Sequence, residues 1–299
     1  MRDYMLEEIE NKVDVPELIC TELKRDIKKE LDQSCLYYRL FGRVKTSESI
    51  CKKLNRKQYS VDSKKMQDII GLRIVVYFND DIDLCRSLLK DMYQLDNEEY
   101  DHLSTEEFKP VRINMVFTIP EQLVSYIRIN DDIPIDKTFE VQIRTIFSEG
   151  WHEVEHDLRY KRKADWRELP VQSRMLNGIF ATLQTCDWSI LQLFDDVAHE
   201  HYKRKNWLPM CISHFRLKLL RQEDDKEKII SILNDSSDLP KTILRFNRLK
   251  LINLLKDKYN DIPFTLLNVI YIINLEEECC ESLKQTTPAR ICEDYSARK

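Results

Sequence analysis

Thr138–Lys161 reads TFEVQIRTIFSEGWHEVEHDLRYK, and its periodicity changes halfway along. Phe139, Val141 and Ile143 alternate with Glu140, Gln142 and Arg144. A period of two over this length predicts a strand with one buried and one open face. The open face sets a carboxylate, an amide and a guanidinium in one row. Further on the spacing becomes helical: Trp151, Val154 and Leu158 share a stripe, and Glu155 and Arg159, four apart, can pair. A strand therefore delivers a polar row and a helix packs behind it. The row is either a site or a solvated sheet face, and the rest of the chain must decide between them.

The composition limits the choices. The 299 residues suffice for one large domain or a domain with an appendage. With 42% hydrophobic and 33% charged residues the chain can bury a core and keep a wet surface. Only 4 glycines argue against Gly-rich phosphate loops and for helices. A net charge of -5 gives no overall attraction to nucleic acid, so local basic clusters must bind any phosphate. Nine cysteines without a CxxC pair, Cys279 and Cys280 being adjacent, point to reduced thiols and a cytoplasmic location. The acidic start, MRDYMLEEIENKVD, is no signal peptide, and no apolar run is long enough to span a membrane.

A basic cluster lies upstream in FGRVKTSESICKKLNRK, Phe41–Lys57. Arg43 and Lys45 are two apart and face the same side of an extended segment. Thr46 or Ser47 can cap the next helix, on which Ser49, Lys53 and Lys57 share a face. Arg43, Lys45, Ser49 and Lys53 can thus converge on one anion at a helix N-terminus, or form a solvated basic face. Next comes MQDIIGLRIVVYFNDDIDLCRSLLKDMY. Leu72–Phe78 predicts a buried strand, with Asp68 just before it and Arg73 near its start; a helix over 81–92 follows. Asp68 is either a turn residue or a ligand for Mg²⁺, which takes few carboxylates together with phosphate oxygens and water.

Residues 1–41 read as helices and residues 94–107 as an acidic loop. Val111, Ile113, Met115 and Phe117 alternate with Arg112, Asn114 and Thr118, which predicts another strand. The order suggests an α+β fold, a mixed sheet flanked by helices. After Trp166 only helical patterns remain: 176–202, 210–220, 229–233, 243–255 and 266–275. DLPKTIL from Asp238 and DIPFTLL from Asp261 each place Asp and an early Pro ahead of an apolar helix. The expected organisation is N-terminal helices over 1–41, a mixed-sheet α+β domain over 42–165 and a helical C-terminal region over 166–299.

Two motif readings compete. His152-Glu153-x-x-His156 has the H-E-x-x-H spacing of a zinc protease helix. No HxxGxxH extension follows, since Asp157–Lys163 is DLRYKRK, and this reading leaves the basic cluster and the polar row unexplained. The other reading uses all the segments. RVKTSESICKKL, DIIGLRIVVYFNDDI, EVQIRT and W-x-x-x-E-H-D-L-x-YK resemble, in order and spacing, the synthetase domain of the RelA/SpoT family, over about Arg43 to Lys161. The resemblance implies a nucleotidyltransferase-like fold and transfer of a pyrophosphoryl group from ATP to the 3′-hydroxyl of GDP or GTP, making (p)ppGpp. It implies Arg43 and Arg73 on the two faces of the adenine, and Lys45, Ser49 and Lys53 on the ATP phosphates. Asp68 and Glu140 become the catalytic carboxylates and Mg²⁺ ligands, with Glu140 also placed to take the acceptor's proton. Gln142 and Arg144 line the acceptor side, and His156, Tyr160 and Lys161 support it.

The family's G-Y-x-S-x-H segment is altered here to Glu107-Phe108-Lys109-Pro110-Val111-Arg112. Phe108 can still stack on a base, and Arg112 replaces the His. Three readings of function therefore stand: a (p)ppGpp synthetase, a toxic relative that modifies an adenosine nucleotide or a tRNA 3′ end, and a nucleotide-binding regulatory module without turnover. The helical C-terminal region either completes the fold or offers a surface for a second copy or a protein partner. No membrane partner is expected.

Overall fold

A computed structural model of the chain describes residues 2–57, 59–100, 113–220 and 223–296. The chain forms two compact units, Met1–Lys29 with Tyr38–Asp187, and Glu30–Tyr37 with Trp188–Lys299.

The first unit is an α+β structure built on a mixed sheet. Its elements in order are α1 (Arg2–Lys12), β1 (Val13–Asp14), most of α2 (Glu17–Gln33), β2 (Tyr38–Val44), α3 (Ser47–Arg56), β3 (Ile70–Val76), α4 (Ile82–Met92), β4 (Leu95–Tyr100), β5 (Ile113–Thr118), α5 (Glu121–Val124), β6 (Arg128–Ile129), β7 (Thr138–Thr145), α6 (Ile146–Leu158) and the part of α7 (Pro170–Lys203) up to Asp187. Five strands form the main sheet in the order β2-β3-β7-β5-β4, and β1 pairs with β6 separately. β3 and β7 run parallel at the centre; the other ladders of the main sheet are antiparallel.

The alternation along β7 holds: Phe139, Val141 and Ile143 are buried, while Glu140, Gln142 and Arg144 are partly open. Phe139 stacks on Phe117 of β5 with ring centroids 5.5 Å apart, so the apolar faces of neighbouring strands form one layer. α2 approaches the same layer at Gly42 of β2. A Cβ there would meet Leu72 Cδ2 at 2.5 Å, Lys24 Cδ at 2.8 Å and Cys20 Sγ at 2.9 Å, so only glycine admits this helix–strand approach.

The strand β2 begins at Tyr38, inside the segment read as helical, because Tyr38–Val44 pairs residue for residue with β3. Residues Leu95–Tyr100, read as loop, form the edge strand β4 on β5. Its acidic composition suits an edge: Glu98 pairs with Arg86 and Lys90 of α4 at 2.8 and 2.7 Å, and charged edges discourage pairing with foreign strands. On α6 only Trp151 of the expected apolar stripe is buried, against Phe180 of α7 with centroids 4.7 Å apart; Val154 and Leu158 are exposed. Glu155 and Arg159 do pair, at 3.4 Å.

The second unit is helical, with α8 (Trp207–Phe215), α9 (Lys226–Asp235), α10 (Leu239–Arg245), α11 (Arg248–Asp257), α12 (Leu266–Glu277), α13 (Glu281–Gln285) and α14 (Ala289–Ser296). Residues 243–255, read as one helix, divide between α10 and α11, where Asn247 caps α11 by accepting from Lys250 N. The second Asp-Pro copy lies ahead of its helix, and Thr265 caps α12 instead of Asp261. α12 is buried on nearly every side, as an all-round apolar helix must be. Among the described residues no helix is long and apolar enough to cross a membrane.

Candidate active site

The open face of the sheet holds the site. Cross-strand register sets Arg43 of β2 opposite Gly71 of β3, and Gly71 opposite Glu140 of β7. Arg73 lies opposite Gln142 one step along. These side chains therefore share one face, and they line a cleft of about 640 Å³ together with Lys45, Asp68 and residues of α6.

At one end stand two lysines and two carboxylates. Lys45 follows β2, and its N–H extends the ladder by donating to Ile69 O at 2.8 Å, which holds it beside Asp68. Its Nζ donates to Asp68 Oδ2 at 2.7 Å and to the Asp68 carbonyl at 2.8 Å. Lys53, in the last turn of α3, donates to the same Oδ2 at 2.5 Å. Burial alone would raise the Asp68 carboxyl, but Lys45 and Lys53 outweigh it and hold the group below the ordinary carboxylate range. The Lys45 ammonium is lowered by burial, against the pull of Asp68. Glu140 goes the other way: burial first, and then the charge of Asp68, raise it. The two acids are thus pushed in opposite directions, Asp68 down and Glu140 up.

Asp68 Oδ1 is buried and has no hydrogen-bond partner. An unsatisfied buried carboxylate oxygen, in a cleft that Glu140 also lines, is a donor of the kind a hard divalent cation such as Mg²⁺ takes. Among the described residues no group of three or more His, Cys, Asp or Glu could hold a metal ion of any kind, so a cation beside Asp68 would need phosphate oxygens and water to complete its shell. In the H-E-x-x-H segment, Glu153 bonds to Arg73 and His156 to Asp157.

The other end is a lattice of guanidinium, amide and carboxylate groups. Gln142 Nε2 donates to Glu140 Oε2 at 3.1 Å, and Gln142 Oε1 accepts from Arg73 Nε at 3.3 Å and from Arg144 Nη2 at 3.1 Å. Arg73 Nη1 also donates to Glu149 and Glu153 of α6, each at 2.5 Å, and Arg144 Nη1 to Glu149 at 2.8 Å. The order α6 needs to present these acids comes from Thr145, whose hydroxyl caps the helix by accepting from Ser148 N at 3.1 Å.

Most of the expected site residues gather here. Arg43, Lys45, Asp68, Arg73, Glu140, Gln142, His156 and Lys161 line the cleft; Lys53 reaches it through Asp68, and Arg144 through Gln142 and Glu149. Ser49 does not line it: its N–H and hydroxyl are engaged by the capping residue Thr46 at 3.3 and 3.0 Å. Tyr160 lies beside it, stacked on His156 with centroids 5.7 Å apart. Phe108 and Arg112 lie outside the described residues. Gly71, Glu149 and Glu153 line the cleft without having been anticipated. The two acids are four apart on a helix and His156 follows three later, a shared face that the sequence did offer.

Carboxylates among lysines and arginines on a mixed sheet are chemically suited to phosphoryl-type transfer, where positioning and charge neutralisation dominate. Residues 42–165 match the family described as the region found in RelA / SpoT proteins. Over 125 residues, 40% of this chain and 55% of the relative, the sequence is 35% identical to GTP pyrophosphokinase YjbM of Bacillus subtilis (strain 168). It is 32% identical to GTP pyrophosphokinase YwaC of the same organism over 133 residues, 42% of this chain and 59% of that one. The chain thus spans somewhat over half the length of these curated relatives. Among solved structures, small alarmone synthetase 1 from Bacillus subtilis aligns with 25% identity and a TM-score of 0.47, over 59% of this chain and 91% of that one. Residues 42–165 thus match the region found in RelA / SpoT proteins, and the chain is similar to these two GTP pyrophosphokinases over a comparable length.

Proposed function

We propose that the protein transfers a pyrophosphoryl group from ATP to the 3′-hydroxyl of a guanosine nucleotide, GDP or GTP. The observation that supports this most is the carboxylate pair Asp68 and Glu140 set against Lys45 and Lys53 within the RelA/SpoT region. In this reading the acceptor 3′-oxygen attacks the β-phosphorus of ATP, the bridging bond between the α- and β-phosphates breaks, and AMP leaves. Glu140, raised by burial and by Asp68, takes the proton of the attacking hydroxyl. Lys45 and Lys53 stand beside the transferred phosphates, and Arg43 and Arg73 flank the donor base, since a planar guanidinium stacks well on a ring. Asp68 and Glu140 would hold Mg²⁺, which supplies charge neutralisation at the phosphate oxygens. Gln142 ties Glu140 to the two arginines and keeps the carboxylate aimed along the strand face.

The altered segment Phe108–Arg112 favours a test that includes other acceptors. Protein is incubated with γ-³²P-labelled ATP, Mg²⁺ and, separately, GDP, GTP, AMP, ADP or bulk tRNA. Label in GDP or GTP, with one AMP released per transfer, is expected. Label in an adenosine nucleotide or tRNA alone would replace the acceptor, and no transfer to any of them overturns the reading.

A further inference from the structure

Glu149 sits in the first turn of α6, where any acid is favoured by the helix dipole and most remain in water. This one does not. Its side chain is 16% exposed and turned onto the sheet, with Oε1 accepting from Arg73 Nη1 at 2.5 Å and Oε2 from Arg144 Nη1 at 2.8 Å. The two guanidiniums come from adjacent parallel strands, one register step apart on the same face. Their like charges oppose each other. Arg144 is held below the ordinary arginine value, chiefly by burial and in part by Arg73, while Glu149 pulls it back up. A single carboxylate with one oxygen on each cation removes that conflict and fixes the separation of the pair. Gln142 Oε1 joins the same two groups from below. Glu153 adds a third contact to Arg73, but its side chain is 55% exposed, and exposed ion pairs contribute little.

The geometry of Arg73 follows from this. Its Nε bonds to Gln142 and its Nη1 to Glu149 and Glu153, so the bonds lie along the edge of the guanidinium plane. A plane held by its edge keeps its flat face for a ring, which a freely rotating arginine does not. We infer that Glu149 is a positioning residue. It locks Arg73 and Arg144 as one unit, so that Arg73 presents a fixed face to the donor base while Arg144 stays beside the acceptor end of β7. Glu149 touches neither substrate in this account and acts only through the arginines. The inference rests on the proposed donor site, and its test is chosen to separate the two.

One arm needs no substrate. In the free protein, ¹⁵N exchange at the guanidinium Nη sites is expected to show slow rotation for Arg73 and Arg144, and Glu149→Gln is expected to release both, because an amide offers one acceptor oxygen in place of two. The other arm is a double-mutant cycle on AMP formation from ATP. Glu149→Gln is expected to raise the KM for ATP about 10-fold, and the same change in an Arg73→Ala background to leave it within about 2-fold. Unchanged guanidinium rotation in Glu149→Gln, or an undiminished KM effect without Arg73, overturns the inference. If the wild type forms no AMP, the functional reading fails while the rotation arm still decides the role of Glu149.

Discussion

Replacing Gly71 should make the protein more stable and less active at once. Gly71 lies inside β3, between Arg43 on one neighbouring strand and Glu140 on the other. A glycine in a strand interior weakens the strand, by roughly 0.5–1 kcal/mol relative to alanine, and marks a place where something approaches the backbone. Among the described residues nothing does so here: a Cβ built on Gly71 meets none of their atoms within 4 Å, and the residue has no left-handed backbone. The missing side chain leaves the floor of the cleft bare. Gly71→Ala should therefore stabilise the fold by about 0.5–1 kcal/mol, raising Tm by about 1–3 °C. Gly71→Val should gain slightly more, since β-branched residues suit strands. Both variants push a seated nucleotide off the floor, and displacement by about 1 Å can cost on the order of 100-fold in rate. We expect kcat/KM for AMP formation to fall about 10-fold for alanine and about 100-fold for valine. Calorimetry and initial rates on the same preparations provide the check. Valine with wild-type kcat/KM, or with a lowered Tm, would refute the assignment of this glycine to ligand space.

Gly42→Ala should do the opposite. Its Cβ would meet Leu72, Lys24 and Cys20 within 3 Å, so a loss of about 1–3 kcal/mol is expected in urea unfolding; an unchanged midpoint would show that α2 can retreat without penalty. Asp187 offers a pH test. It is buried on α7, accepts from the Thr145 hydroxyl at 2.8 Å, and leaves Oδ1 without a partner. Burial lifts its carboxyl to about 6, only partly offset by Thr145. Because the folded value lies above the unfolded one, the native state binds more protons between about pH 4 and 6. Stability from this group is then lost as pH rises through that window, on the order of 3 kcal/mol. Asp187→Asn keeps an acceptor for Thr145 and removes the charge. It should be more stable than wild type at pH 7 and show a flatter profile between pH 4 and 6; lower stability at pH 7 would contradict this.

Much of the site was legible because it lies in periodic segments. The alternation of Phe139–Arg144 fixes which side chains share the open face, and two-residue spacing puts Arg43 and Lys45 on one side of an extended chain. Thr46 caps α3 because a hydroxyl before a helix satisfies a free N–H, and that pairing is local. What was missed depends on contacts distant in sequence. The strand β4 consists of Leu95, acids, Asn97 and Tyr100, and only its pairing with β5 makes it a strand. Val154 and Leu158 have helical spacing with Trp151, yet α6 meets α7 along a narrow seam around Trp151 and leaves them exposed. Glu149 looks like an ordinary first-turn acid until Arg73, 76 residues earlier, is brought against it. Ser49 looks like a phosphate ligand by spacing, but it lies at the cap of α3, where its N–H donates to Thr46 Oγ1 and its Oγ accepts from the Thr46 hydroxyl, outside the residues that line the cleft.

In the proposed reaction Glu140 and the lysine-paired Asp68 work on a bound triphosphate. This is tested most directly by the rate of Mg²⁺-dependent AMP formation from ATP in the presence of GDP or GTP, for wild type and Glu140→Gln side by side. Removing a general base and charged ligand predicts a loss on the order of 10³-fold, with the Tm of the variant at or above that of wild type because a buried acid has been neutralised. Wild-type turnover in Glu140→Gln would contradict the account.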